Sequence, residues 1–168
     1  MIGQFNIGDI KMEFKYNDGG RKSAGYKGEN VGDCVARALS ITTQGDYKQI
    51  YDFLASSNKE QRKGKRKGSN TGKLSAQHGI NTSRKWFKDY MTKLGFKWYP
   101  TMQVGKGCQI HLKTEELPQK GRLVVSVSKH FTSVIDGVIH DTYDPSRNGT
   151  RCVYGYWLLV EKIKTTTK

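Results

Sequence analysis

The spacing of apolar positions changes character near residue 96. Before that point apolar residues recur at helical intervals, and after it they alternate or cluster in short β-branched and aromatic runs. Val35, Ala36, Ala38, Leu39 and Ile41 trace one helical face starting near Asp33, a residue type suited to cap a first turn. Cys34 falls in that first turn. A second helix is predicted from Asp46, with Gln49 at the capping-box position and Tyr47, Ile50, Tyr51, Phe53 and Leu54 on its apolar positions. A third begins at Thr82 or Ser83, carries Trp86, Phe87, Tyr90, Met91 and Leu94, and stops at Gly95.

Strands are predicted over 97–100, 109–112, 122–128, 131–136, 138–142 and 152–161, with one earlier strand in the alternating stretch 10–16. Asp136-Gly137 is a hairpin signal between two of them, and Asp144-Pro145-Ser146 with Asn148-Gly149 marks a wider turn. Helices followed by antiparallel strands predict an α+β domain, N-terminal helices packed on a C-terminal sheet. The chain has 168 residues, no internal repeat and no obvious linker, so a single domain over 1–168 is expected.

Composition adjusts this picture in two ways. Lys and Arg number 29 against 15 Asp and Glu, a formal net charge of +14. Seven of those basic residues, with one acid and three glycines, crowd into Lys59–Lys73, a composition that cannot pack a core and predicts a basic mobile loop at about 58–74. Arg62, Lys63, Lys65, Arg66 and Lys67 are its candidate contacts to nucleic acid or an acidic partner protein. No apolar run reaches a membrane span and the N-terminus lacks the unbroken apolar stretch of a signal peptide, so a cytoplasmic protein is expected. The three cysteines include no CxxC pair, which argues against a disulfide framework and against a structural zinc site. Cys108 and His111 form a CxxH, discounted because an extended segment points them to opposite faces. There is neither a GxxxxGK[ST] nor a GxGxxG loop, and no metal or cofactor is expected.

Three features in chain order carry chemistry. They are GDCVARAL, a cysteine at a helix start; Lys129-His130-Phe131, a histidine entering a strand; and HDTYDP, two acids where the next strand ends. A cysteine is nucleophilic as thiolate, which a helix N-terminus favours. A neighbouring histidine holds the proton and later delivers it to a leaving group. A carboxylate on the adjacent strand orients the imidazole. Pairing about Asp136-Gly137 places His130 near residue 143, which makes Asp144 the preferred partner and Asp141 the alternative. His140 reads as a sheet residue, and neither His78 nor His111 is assigned a role.

This order resembles the papain-like cysteine peptidase fold. DC followed by small and apolar helix residues, and HF-x-x-V-x-DG-x-x-x-D-x-x-DP, are similar to its bacteriocin-processing and transglutaminase-like branches. The same segments, with a late GYW, also resemble small papain-like proteins encoded by bacteriophages; the likeness covers residues 29–54 and 121–158. It implies catalytic roles for Cys34, His130 and Asp144, a peptide or protein substrate, and no cofactor. It also implies an oxyanion-hole glutamine about six residues before the cysteine, where this chain has Gly28. Asn30, rather than Glu29, is then the side-chain candidate for that donor, beside the Cys34 backbone N–H. Two functions follow as expectations. One is a cysteine hydrolase of peptide or isopeptide bonds acting through an acyl-thioester. The other is a basic binding protein that keeps the fold as an inactive scaffold, since fold does not fix function.

Overall fold

A computed structural model describes residues 11–28, 32–60 and 79–160. Among them are three helices, α1 (Cys34–Thr43), α2 (Tyr47–Lys59) and α3 (Lys85–Lys93). Six strands accompany them: β1 (Glu13–Tyr16), β2 (Phe96–Pro100), β3 (Arg122–Val127), β4 (His130–Ile135), β5 (Val138–Asp141) and β6 (Val153–Leu159). The strands form one open sheet in the order β1-β5-β4-β3-β6-β2. The domain is α+β, as the pattern predicts. The sheet is mixed rather than purely antiparallel, because β1 pairs with β5 in parallel at one edge. None of the described helices is long and apolar enough to cross a membrane.

Local chemistry explains most of the element boundaries. The Asp46 carboxylate accepts from the Gln49 N–H at 2.8 Å and caps α2, whose helix runs through Lys59 at the start of the predicted basic loop. Residues 61–78, with Arg62, Lys63, Lys65, Arg66 and Lys67, lie outside the described residues. Gly95 ends α3 with a φ of 98°, a backbone state that glycine adopts without steric cost. Asp136 and Gly137 both have positive φ, the two-residue turn whose twist matches antiparallel strands. The pairing of Ile135 with Val138, Val134 with Ile139 and Ser133 with His140 then follows.

The sheet is buried on both faces. Helices cover one, where Leu39, Leu54, Phe87 and Met91 pack on Val124, Phe131 and Trp157. The other is covered by Met12 and by Leu112 and Leu117 of the β2–β3 connection, packed on Leu123, Val125, Val134 and Ile139. That connection holds no strand: the one predicted over 109–112 is reduced to a single bridge between His111 and Cys152.

The same bridge explains why a disulfide forms where cysteine count and spacing argue against one. It lays the connection beside the start of β6, bringing Cys108 within 5.8 Å of Cys152 between Cα atoms, and the two are bonded. His111 pairs instead with Glu116, Nδ1 to Oε2 at 3.1 Å, so the CxxH is no ligand pair. The bond closes a separation of 44 residues, for which loop-closure entropy predicts a stabilisation of about 4 kcal/mol. Thiol titration without reductant is expected to find Cys34 alone, and adding reductant to lower the thermal midpoint. An unchanged midpoint would show that the bond contributes nothing to folding.

Candidate active site

The geometry of the site follows from how α1 lies on β4. Small residues allow close approach: the Ser133 hydroxyl donates to the Ala38 carbonyl at 3.1 Å, in the middle of both elements. At the far end Arg122, which pairs with Ile135 across β3–β4, donates from Nη2 to Ile41 O at 2.9 Å and from Nε to Thr42 O. A cation on the last carbonyls of a helix is the favourable sense of the dipole. Helix and strand therefore run side by side in one direction. Their starting residues, Cys34 and His130, meet at the same end.

There the Cys34 side chain lies close enough to the His130 ring to raise its pKa, and His130 Nε2 donates to Asp141 Oδ2 at 2.7 Å. Cys34 is half-buried, unpaired to any other cysteine, and packs against the helix-side core. His130 and Asp141 are buried. Tyr143 lies over the imidazole with ring centroids 5.1 Å apart. Burial alone would lower the His130 pKa. The hydrogen bond to the Asp141 carboxylate and the proximity of Cys34 outweigh it, and the pKa is raised to about 9.

Asp144, the preferred third residue of the sequence reading, is not the partner. Extending the β4–β5 register places residue 143 opposite His130, as the turn predicts. Side chains alternate across a strand, however, so 141 and 143 share the histidine's face and 144 does not. The shift of one position sends Asp144 into the following turn, where Oδ1 accepts the Ser146 N–H at 2.9 Å and Oδ2 pairs with Lys11 at 3.6 Å. His140, on the opposite face to Asp141, touches Asn17 and has its pKa lowered, chiefly by burial.

Two further residues build the site from behind. Asp33 does not cap α1 with its side chain. It is buried and takes an ion pair from Arg37, a second from Arg21 Nε at 2.9 Å, and the Tyr47 hydroxyl. Arg37 also reaches Asp141 Oδ1, its Nη2 at 3.7 Å. A continuous chain thus runs Asp33–Arg37–Asp141–His130–Cys34. Arg37 is a buried cation in a run of otherwise apolar or small residues, CVARALSI. That was the available signal, since charged side chains are rarely buried unless paired. Because Asp33 is engaged elsewhere, its carboxylate leaves the first-turn N–H groups around Cys34 uncapped. Gly28, at the position where the resemblance expects a glutamine, offers only backbone, and its carbonyl accepts from Arg21 Nη1 at 2.9 Å. Asn30 lies outside the described residues.

Two clefts lie beside these residues and share Tyr143, the first of them lined by His130. One, of about 570 Å³, is lined by Ser128, Lys129, His130, Asp144, Arg147 and Arg151 as well. The other, about 610 Å³, lies along Arg21, Lys22, Lys27, Gly28 and Arg37. Among the described residues no cluster of three His, Cys, Asp or Glu side chains could hold a metal ion. No family model, no curated protein and no solved structure matched the chain.

His130 carries a testable pH signature. A raised folded-state pKa contributes stability that is full below the unfolded value near 6.5 and is lost as the pH rises through about 9. Titration followed by the ring's NMR signals is expected to show an imidazolium still present at pH 8, with the midpoint moving down in Asp141→Asn. The stability gap between wild type and Asp141→Asn should shrink across the same window. A midpoint unmoved by Asp141→Asn would contradict the role given to that carboxylate.

Proposed function

We propose that the protein is a cysteine hydrolase of papain-like type, cleaving peptide or isopeptide bonds through an acyl-thioester on Cys34. The observation that carries this reading is a buried histidine beside a half-buried free cysteine and hydrogen-bonded to a buried carboxylate. Charge balance supports the reactive form. With His130 protonated and Cys34 ionised, three cations (Arg21, Arg37 and His130) face three anions (Asp33, Asp141 and Cys34) in one connected cluster. A buried cluster that sums to zero avoids an uncompensated charge in low dielectric.

In this mechanism the Cys34 thiolate attacks the substrate carbonyl and forms a carbon–sulfur bond. His130 passes its proton to the departing amine as the scissile C–N bond breaks. Water then attacks the thioester, with His130 taking a proton from it and returning that proton to Cys34. Asp141 holds the ring's Nε2–H throughout. Uncapped N–H groups at the start of α1 supply donors for the oxyanion.

The test uses p-nitrophenyl acetate, a generic acyl donor. A burst of nitrophenol, an acetyl adduct on Cys34 by mass spectrometry, and decay of that adduct on standing are expected. Cys34→Ser should abolish the burst, and His130→Ala should suppress both adduct formation and decay. Equal acetylation of wild type and His130→Ala would reduce Cys34 to an ordinary accessible thiol and overturn the reading.

A further inference from the structure

The cleft beside His130 has a charge character that hydrolysis itself does not require. Its floor and rim carry Lys129, Arg147 and Arg151 against one acid, Asp144, which is already paired with Lys11 at 3.6 Å. The cations are placed by backbone features rather than scattered. Lys129 sits in the β3–β4 turn with a φ of 55°, and Arg147 in the turn after β5 with a φ of 51°. Both side chains are exposed. Arg151 clips the two walls together, donating from Nη2 to Ser128 O at 2.5 Å and from Nη1 to Pro145 O at 3.4 Å. Three positive charges therefore line a cleft that His130, the neighbour of Cys34, also lines.

We infer that this cleft selects substrates carrying a carboxylate next to the scissile bond, an acidic side chain or a terminal carboxylate of a peptide, with Lys129 and Arg147 as the residues that bind it. The inference rests on the active-site reading above and names the substrate class of that site. Arg151 is a positioning residue: its Nη1 and Nη2 bond the cleft walls, and Lys129 and Arg147 are the exposed cations. A concave site lined by one sign of charge raises the local concentration of the opposite charge, an effect worth about 10-fold or more in rate.

Two alkylating agents of the same shape separate the inference from the reading beneath it. Iodoacetate carries a carboxylate and iodoacetamide is its neutral counterpart. The rates at which each modifies Cys34 are measured at pH 7 in the full-length, oxidised protein, with N-acetylcysteine as reference thiol. The ratio of iodoacetate to iodoacetamide rates is expected to exceed the reference ratio by about 10-fold and to fall with added salt. The double variant Lys129→Asn/Arg147→Asn should lose most of that excess; asparagine tolerates the left-handed backbone at both positions. Lys93→Gln, on the remote surface of α3, should retain it. If iodoacetamide modifies Cys34 rapidly and in a His130-dependent way, yet the ratio equals the reference or is unchanged in the double variant, the carboxylate preference is wrong and the active site stands. Slow alkylation by iodoacetamide that ignores His130→Ala overturns both.

Discussion

Replacing His130 with alanine is expected to slow alkylation of Cys34 by iodoacetamide at pH 6.5 on the order of 10–100-fold. The size follows from the thiolate population. An unassisted cysteine, with a pKa near 8.5, is only about 1% thiolate two units below that value. In the wild-type protein His130, its pKa raised to about 9, remains an imidazolium at this pH beside Cys34. In the proposed mechanism the proton is on the ring and the sulfur reacts as the anion. Thiolates formed at lower pH are intrinsically weaker nucleophiles, which holds the gain below the full factor of about 100. The effect should vanish toward pH 10, where an unassisted thiol ionises by itself. His130 is buried and its loss leaves a space beside Asp141, so His130→Gln is the companion variant, filling the volume without supplying the proton. A wild-type rate at pH 6.5 that matches both variants would remove the basis for a catalytic dyad. The disulfide simplifies the measurement, since Cys108 and Cys152 do not compete for the reagent.

Asp33→Ala is expected to destabilise the fold by about 3–5 kcal/mol, because it strands two largely buried cations. Arg37 is 8% exposed by side chain and Arg21 12%, and both direct their guanidinium groups at this one carboxylate. Tyr47 would lose the acceptor of its hydroxyl as well. Its own pKa is raised strongly, by burial first and by the Asp33 hydrogen bond next, so it remains a neutral donor at all ordinary pH values. For a chain of this length the loss corresponds to a fall in thermal midpoint of roughly 10–15 °C. Tyr47→Phe, which removes one hydrogen bond and no charge, should cost about 1–2 kcal/mol. Urea denaturation of the three proteins gives the comparison directly. A loss under 1 kcal/mol in Asp33→Ala would mean that the arginines find other partners. The functional consequence is separable from the structural one. Arg37 loses its anchor at the start of α1, and with it the contact that helps hold Asp141 against His130. In Asp33→Ala the His130 titration midpoint should therefore move as it does in Asp141→Asn, only less.

How much of the site could be read in advance depended on whether its geometry was local. The cysteine at a helix start and the histidine at a strand start were legible, because each is a property of one short segment and its apolar spacing. The Asp136-Gly137 turn was legible for the same reason, and it set the register that brings residue 143 opposite His130. The choice between Asp141 and Asp144 was legible in principle, since strand alternation assigns residue 141 to the histidine's face. Proximity in register without facing pointed to the wrong acid. Asp33 was read as a cap because the cap preference of aspartate is local, whereas its actual partners come from residues 21, 37 and 47.

The sequence by itself determined the helices, most of the strands, the hairpin and its register, and the order of a cysteine, a histidine and an acid along the chain. These depend on residue periodicity and turn chemistry within a dozen positions. Tertiary structure alone decided that β1 joins the sheet in parallel, that Cys108 meets Cys152 across 44 residues, and that Arg37 bridges Asp33 to Asp141. Each of these is a contact between segments whose separation carries no local signal. The physical reason is the same in every case. Local spacing fixes which face a residue presents, but only the packing of distant segments fixes what that face meets.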